Sequence, residues 1–144
     1  MPTVERTFEV TAPPVAVLEY LKDFTHAEEW DPGTQTCVRV GPDGPVVVGT
    51  TWHNTSHFAG MTTELVYTLR EASSDRIVLH GENDTAASTD TIIVTPYEGG
   101  SRVHYRAELE LHGLAKLGAP VVKLAFEKLA HVTERQMVEV LDRL

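Results

Sequence analysis

From Arg102 to His112 apolar and polar residues alternate without a break, with Val103, Tyr105, Ala107, Leu109 and Leu111 on one side. A period of two marks a strand with one buried face. The chain then passes through Gly113-Leu114-Ala115 and changes period: Leu117, Val121, Leu124, Leu129, Val132, Met137, Leu141 and Leu144 recur at roughly helical spacing with charges between them, which predicts one long C-terminal helix with Pro120 in its first turn. At the other end Val4, Phe8 and Val10 alternate over Thr3 to Val10 and predict a first strand. After Thr11-Ala12-Pro13-Pro14, the spacing of Val15, Leu18 and Leu21 predicts a short amphipathic helix, and His26 to Trp30 a further helical turn closed by Asp31-Pro32.

Thr34 to Val40 reads as the second strand, followed by the turn cluster Gly41-Pro42-Asp43-Gly44-Pro45. Ala59-Gly60, Ala72-Ser73-Ser74-Asp75, Asn83-Asp84 and Gly99-Gly100 then separate segments rich in Thr, Val, Ile and Tyr, as successive hairpins do. The predicted fold is α+β: a seven-stranded curved antiparallel sheet wrapped around the C-terminal helix, with two short helices after the first strand. A sheet closed by a single long helix tends to enclose a pocket.

Two-residue turns fix which residues share a face. A Gly99-Gly100 turn places Val94 opposite Tyr105, Ile92 opposite Ala107 and Asp90 opposite Leu109, so Asp90 points inward. An Asn83-Asp84 turn places Asp90 opposite Ile77 and Ser88 opposite Leu79, on the same face. An Ala59-Gly60 turn pairs Phe58 with Met61, Ser56 with Thr63, Asn54 with Leu65 and Trp52 with Tyr67. The inner face is therefore mostly apolar but carries Asn54, Ser56, Thr63, Tyr67, Ser88, Asp90 and Tyr105, while His53, Thr55 and His57 look outward.

That composition describes a hydrophobic pocket with a few polar anchors. The apolar contacts expected from the sheet are Trp52, Leu65, Tyr67, Ile92, Val94, Tyr105 and Ala107, and from the helix Val121, Leu124 and Ala125. Asn54, Thr63, Asp90 and the tyrosine hydroxyls would orient polar groups. Asp90 and Tyr105 are the candidates for moving protons, because a carboxyl among apolar residues has its pKa raised unless a cation such as Lys128 neutralises it. Trp30 is read either as a residue at the pocket mouth or as an anchor pinning the small helices to the sheet, and the Trp52–Tyr67 pair as core packing or a stacking wall.

Composition narrows the classes. With 144 residues, 42% of them hydrophobic and 23% charged, the chain is expected to be one globular domain over residues 1–144. A net charge of −9 disfavours nucleic acid and anionic membranes, and no apolar run is long enough to insert in a bilayer. Glu5 and Arg6 stand where a signal peptide needs an apolar stretch, so the expected compartment is the cytoplasm. The lone Cys37 reads as a small strand residue. The seven histidines show no metal-binding spacing, and neither a Gly-x-Ser-x-Gly elbow nor a glycine-rich phosphate loop occurs; no metal or cofactor is expected. The expected partner is a small hydrophobic molecule, with the chain a monomer or weak homodimer.

The run Val10-Thr11-Ala12-Pro13-Pro14-Val15-Ala16-Val17-Leu18-Glu19-Tyr20-Leu21-Lys22-Asp23, then Glu29-Trp30-Asp31-Pro32, Phe58-Ala59-Gly60, Gly99-Gly100-Ser101-Arg102-Val103-His104-Tyr105 and the closing helix resemble the polyketide cyclase/dehydrase-like branch of the START/Bet v 1 (SRPBCC) superfamily. The resemblance covers nearly the whole chain in order and implies a helix-grip fold with an internal cavity for lipids, polyketides, sterols or other hydrophobic molecules. It leaves three functions open: a carrier of a hydrophobic ligand, a polyketide aromatase, cyclase or dehydratase, and an interaction module with a filled cavity whose outer face displays His53, His57, His104 and Glu64. Cyclases of this kind are expected to hold Arg and Tyr in the pocket, whereas Arg70, Arg102 and Arg106 fall on the outer face here, which counts against cyclase activity.

Overall fold

A computed structural model describes residues 2–58 and 60–144; Ala59, of the expected third-strand turn, and the side chain of Leu114 lie outside the described residues. The elements are β1 (Thr3–Val10), α1 (Pro14–Lys22), a 3-10 turn (Phe24–His26), α2 (Ala27–Trp30), β2 (Thr34–Arg39), β3 (Thr51–Phe58), β4 (Met61–Ala72), β5 (Arg76–Glu82), β6 (Ala86–Tyr97), β7 (Gly100–Leu111), a second 3-10 segment (Gly113–Gly118) and α3 (Ala119–Leu141). The strands form one antiparallel sheet in the order β1-β7-β6-β5-β4-β3-β2. β2 to β7 follow one another as a meander, and β1 closes the far edge on β7. The long C-terminal helix packs on this sheet, so the architecture is the helix-grip α+β arrangement that the periodicities predict.

Local chemistry explains the small helices. Pro14 opens α1 where its missing N–H costs nothing, and Val17 and Leu21, four residues apart, are buried. The Asp23 carboxylate ends the helix and accepts the Thr25 N–H at 3.1 Å. The His26 ring then stacks on Tyr20 with centroids 4.1 Å apart, and the Tyr20 hydroxyl donates to Glu29 at the start of α2. Glu28 accepts the Cys37 N–H at 2.8 Å and ties α2 to β2.

These contacts deliver Phe24 and Trp30 to the concave face of the sheet. Phe24 meets Tyr67 at 4.5 Å and both Trp30 and Trp52 at 6.1 Å between ring centroids. Trp30 is fully buried, so it anchors the helices instead of standing at a mouth. Met137 and Leu141, from the last turns of α3, join the same buried cluster. Thr11 holds the end of α3 near β1 by donating its N–H to Asp142 at 2.9 Å.

Two hairpin registers differ from expectation, each by two residues. The β6–β7 turn is Glu98-Gly99, with φ of 46° and 84°, not Gly99-Gly100. Successive positive φ values make this the primed turn that matches strand twist, and it pairs Val94 with Val103, Ile92 with Tyr105 and Asp90 with Ala107. In the β5–β6 turn Asn83 accepts the N–H groups of Thr85 and Ala86 at 2.8 Å, so the loop closes one residue later than expected and Asp90 lies opposite Leu79, Ser88 opposite Gly81. Because strand faces alternate every residue, a shift of two preserves the face, and Asp90, Ser88 and Tyr105 still belong to the inner side. The β3–β4 pairs Phe58–Met61, Ser56–Thr63, Asn54–Leu65 and Trp52–Tyr67 are as read from sequence.

Gly100 has its own constraint: a Cβ there would stand 2.2 Å from the Val10 carbonyl oxygen, where β1 crosses onto β7. Gly100→Ala is therefore expected to destabilise the fold by about 1–3 kcal/mol. Gly99→Ala, at φ 84° but in open space, should cost only about 1 kcal/mol. Urea unfolding of both variants checks the ranking; equal losses would mean that the β1–β7 approach is not the limiting contact.

Candidate functional site

The aromatic cluster fills one end of the concave face, and the other end stays hollow. Between the sheet and the first half of α3 lies a cavity of about 180 Å3, larger than the cavity of about 150 Å3 that admits benzene in an engineered protein core. Its sheet walls include Leu65, Ala107 and Leu109, and its helix wall is Val122, Phe126, Leu129, Ala130 and Thr133. Met61 and Thr85, both exposed, line it at the β3–β4 and β5–β6 turns, which places its opening at that end of the sheet. Among the polar groups of its wall are Asp31, Ser56, Tyr67, Ser88, Asp90 and Tyr105.

Asp90 stands in the middle of β6 and is only 6% exposed. Burial pushes its carboxyl up to about 8, the negative charge of Asp31 adds to the shift, and a hydrogen bond from Tyr105 opposes it. Asp31 is also raised by burial, but it accepts the Gly33 N–H at 3.0 Å and the Thr34 hydroxyl at 2.9 Å, both of which favour its ionised form. Behind it runs a relay in which Ser56 donates to Asn54 at 2.5 Å, Asn54 to Thr34 at 3.1 Å and Thr34 to Asp31. Every donor in the relay points toward Asp31. Burial raises both tyrosine hydroxyls, with Asp90 raising them further, so Tyr67 and Tyr105 are neutral donors at ordinary pH.

Tyr67 owes its position to an absent side chain. It pairs across the sheet with Gly81, and a Cβ on Gly81 would lie 2.7 Å from the Tyr67 ring. The ring therefore lies flat over the glycine, with its hydroxyl hydrogen-bonded to Ser88, the residue opposite Gly81 on β6.

Of the residues expected to contact a ligand, Thr63, Leu65, Tyr67, Asp90, Tyr105 and Ala107 line the cavity. Trp52, Asn54, Ile92 and Val94 are buried in the packed end, outside the cavity lining; Asn54 reaches it only through the relay. The Trp52–Tyr67 pair is thus core on one side and cavity wall on the other. The helix residues require correction. Val121 and Leu124 are 66% and 71% exposed, and Ala125 lines a shallow outer depression with His57, Phe58 and Lys128. The first half of α3 carries two apolar stripes, and the one that faces the cavity runs through Val122, Phe126, Leu129 and Thr133. Lys128 is exposed and does not reach Asp90.

Asp31 is the residue sequence reasoning missed, having been read only as closing, with Pro32, the helical turn that ends at Trp30. Its signal was present: in Asp31-Pro32-Gly33-Thr34 an Asp precedes turn residues and a Thr three positions on, the pattern of a carboxylate that caps its own loop. Arg70, Arg102 and Arg106 are exposed, with Arg102 over the Tyr97 ring at 4.0 Å and Arg106 beside Glu5 and Glu108. Among the described residues no group of His, Cys, Asp and Glu is arranged to hold a metal ion, and no helix is long and apolar enough to cross a membrane.

Asp90 links protonation to folding. Its unfolded pKa is about 3.9 and its folded value about 8. Between these the folded chain holds the extra proton, so Asp90's contribution is fully present below about pH 4 and is lost as pH rises through about 8. Asp90→Asn cannot ionise and should gain stability relative to the parent across this window, by on the order of 2–4 kcal/mol at its upper end. Chemical denaturation of both proteins from about pH 4 to pH 9 reads the difference; parallel curves would show that Asp90 is solvated.

Comparison with known proteins agrees with this geometry. No curated protein matches the chain by sequence. A START superfamily protein of Mycobacterium smegmatis superposes with a TM-score of 0.78 over 98% of this chain and 97% of its own, at 13% identity. The Zhui aromatase/cyclase of Streptomyces sp. R1128 superposes with a TM-score of 0.79 over 98% and 93%, at 12% identity, and a protein of Thermus thermophilus with 0.70 over 96% and 99%, at 19% identity. At such identities the likeness speaks for the fold. The sequence profile of the family described as polyketide cyclase / dehydrase and lipid transport matches residues 1–144. With the meander closed by β1, the single gripping helix and the hollow between them all in place, the chain belongs to the polyketide cyclase / dehydrase and lipid transport family.

Proposed function

We propose that this protein binds a small, largely apolar molecule in the cavity between the sheet and the first half of α3, with a polar end of the ligand directed at Asp31, Asp90, Tyr67 and Tyr105. The observation that carries this reading is the uneven filling of the grip. The packed end buries its aromatic side chains completely, yet the other end leaves about 180 Å3 open behind apolar walls. Apolar surface lining a void forgoes dispersion contacts that a ligand restores. Family membership supports the same view, since the fold is one built around a hydrophobic cavity. Binding requires no covalent chemistry.

A second reading, proton transfer on a bound substrate, has one observation in its favour. Asp90 holds its proton near neutral pH beside the Tyr105 hydroxyl, as a general acid must. A solved structure of similar fold is described as an aromatase/cyclase. Against this, no arginine lines the cavity among the described residues. Turnover that is lost in Asp90→Asn while binding persists would favour catalysis.

The direct test is native mass spectrometry of freshly purified protein, followed by solvent extraction of anything bound. A discrete adduct is expected for the parent chain. Ala107, buried opposite Asp90, can be enlarged to fill the space; Ala107→Leu should lower occupancy by about tenfold or more while a thermal melt shows the fold intact. Unchanged occupancy would place the ligand elsewhere.

A further inference from the structure

The cavity holds two carboxyl groups and no basic side chain to neutralise them: none of its described lining residues is Lys, Arg or His. Arg6, Arg102 and Arg106 are engaged outside the cavity, with Glu134, with Glu9, and with Glu5 and Glu108. Asp31 receives a donor on each oxygen, an arrangement suited to its anion. Asp90 is more than nine-tenths buried and lines the cavity with Tyr105 as its hydrogen-bond partner. A carboxyl offers about four acceptor sites, so most of its capacity is left for whatever enters.

We infer that the inner end of the cavity receives an ammonium group, and that the ligand is a small hydrophobic amine whose apolar body lies against Leu65, Phe126 and Leu129. The inference rests on the reading of the cavity as a ligand site and names the class of molecule it takes. An ammonium supplies the missing counter-charge and brings three donors, enough for Asp31, Asp90 and the Tyr105 oxygen together. The rings of Tyr67 and Tyr105 add a separate fit, because both line the cavity and aromatic faces attract cations. A neutral carbonyl ligand would use the Asp90 proton but leave the Asp31 charge uncompensated.

The two ligand types respond oppositely to pH. With Asp90 ionised an ammonium meets two carboxylates instead of the Asp31 carboxylate alone, so its affinity rises as pH passes through the Asp90 titration; a ligand that accepts the Asp90 proton weakens over the same range. The titratable groups facing Asp90 across the cavity are Asp31, Tyr67 and Tyr105, while α3 contributes Val122, Phe126, Leu129, Ala130 and Thr133, none of which titrates.

Calorimetric titration with 1-naphthylmethylamine and its neutral counterpart 1-naphthalenemethanol, at about pH 6 and about pH 8.5, tests this. At the higher pH the amine should bind at least about tenfold more tightly than the alcohol, and its affinity should have grown several-fold from the lower pH. Asp90→Asn, shown to be folded by its thermal melt, should hold the amine near the affinity the parent shows at the lower pH and remove the pH dependence. An alcohol that binds as well as the amine at the higher pH, or an amine that weakens as pH rises, would overturn the inference while leaving the cavity a ligand site. Binding of neither compound would remove the ligand-site reading, and the inference with it.

Discussion

The packing of Trp30 and Phe24 against the sheet sets the terms for everything else in this molecule. Trp30 lies edge-on to Phe24 and Tyr105, and Phe24 in turn contacts Trp52 and Tyr67. This wedge fills one end of the concave face and, through the chain immediately after Trp30, delivers Asp31 to the cavity wall. A sheet gripping one helix has more concave surface than the helix can cover. The aromatic wedge resolves that mismatch on one side only, and the void on the other is the consequence.

Charge is sorted in the same way. The formal net charge is −9, yet the acids and bases of the outer sheet face lie beside one another in water, where each pair contributes little to stability. The inner face received two acids and no base. Asp31 is accommodated by donated hydrogen bonds from its own loop, at the end of a relay from Ser56 through Asn54 and Thr34. Asp90 has no such loop and meets the low-dielectric wall directly, so it keeps its proton. Two carboxyls of one cavity thereby differ in what supports their charge: donors from its own loop, backbone and side chain, favour the anion of Asp31, and Asp90 has only Tyr105.

Much of this was legible before the structure. The alternation of β1 and β7 and the turn clusters between strands gave the sheet, and the inward direction of Asp90, Tyr67 and Tyr105 survived even where the hairpin registers were two residues off. It survived because side-chain direction repeats every two residues, which makes the face a more robust deduction than the partner. The helix had no such protection. Leu117, Val121 and Leu124 form as good a helical stripe as Val122, Phe126 and Leu129, and periodicity does not say which stripe meets the sheet.

The sequence by itself determined the order of elements, the two faces of each strand and the identity of the polar side chains on the inner face, because these follow from local period and turn chemistry. Only the tertiary structure decided that Trp52, Ile92 and Val94 sit in a solid core while Leu65, Ala107 and Leu109 border a void, since that depends on where Phe24 and Trp30 come to rest. It also decided that Asp31 and Asp90 share a cavity, although they lie far apart along the chain. A carboxyl's neighbours are set by packing at long range, and no local pattern of residues encodes the distance between a loop and a strand on the far side of the fold.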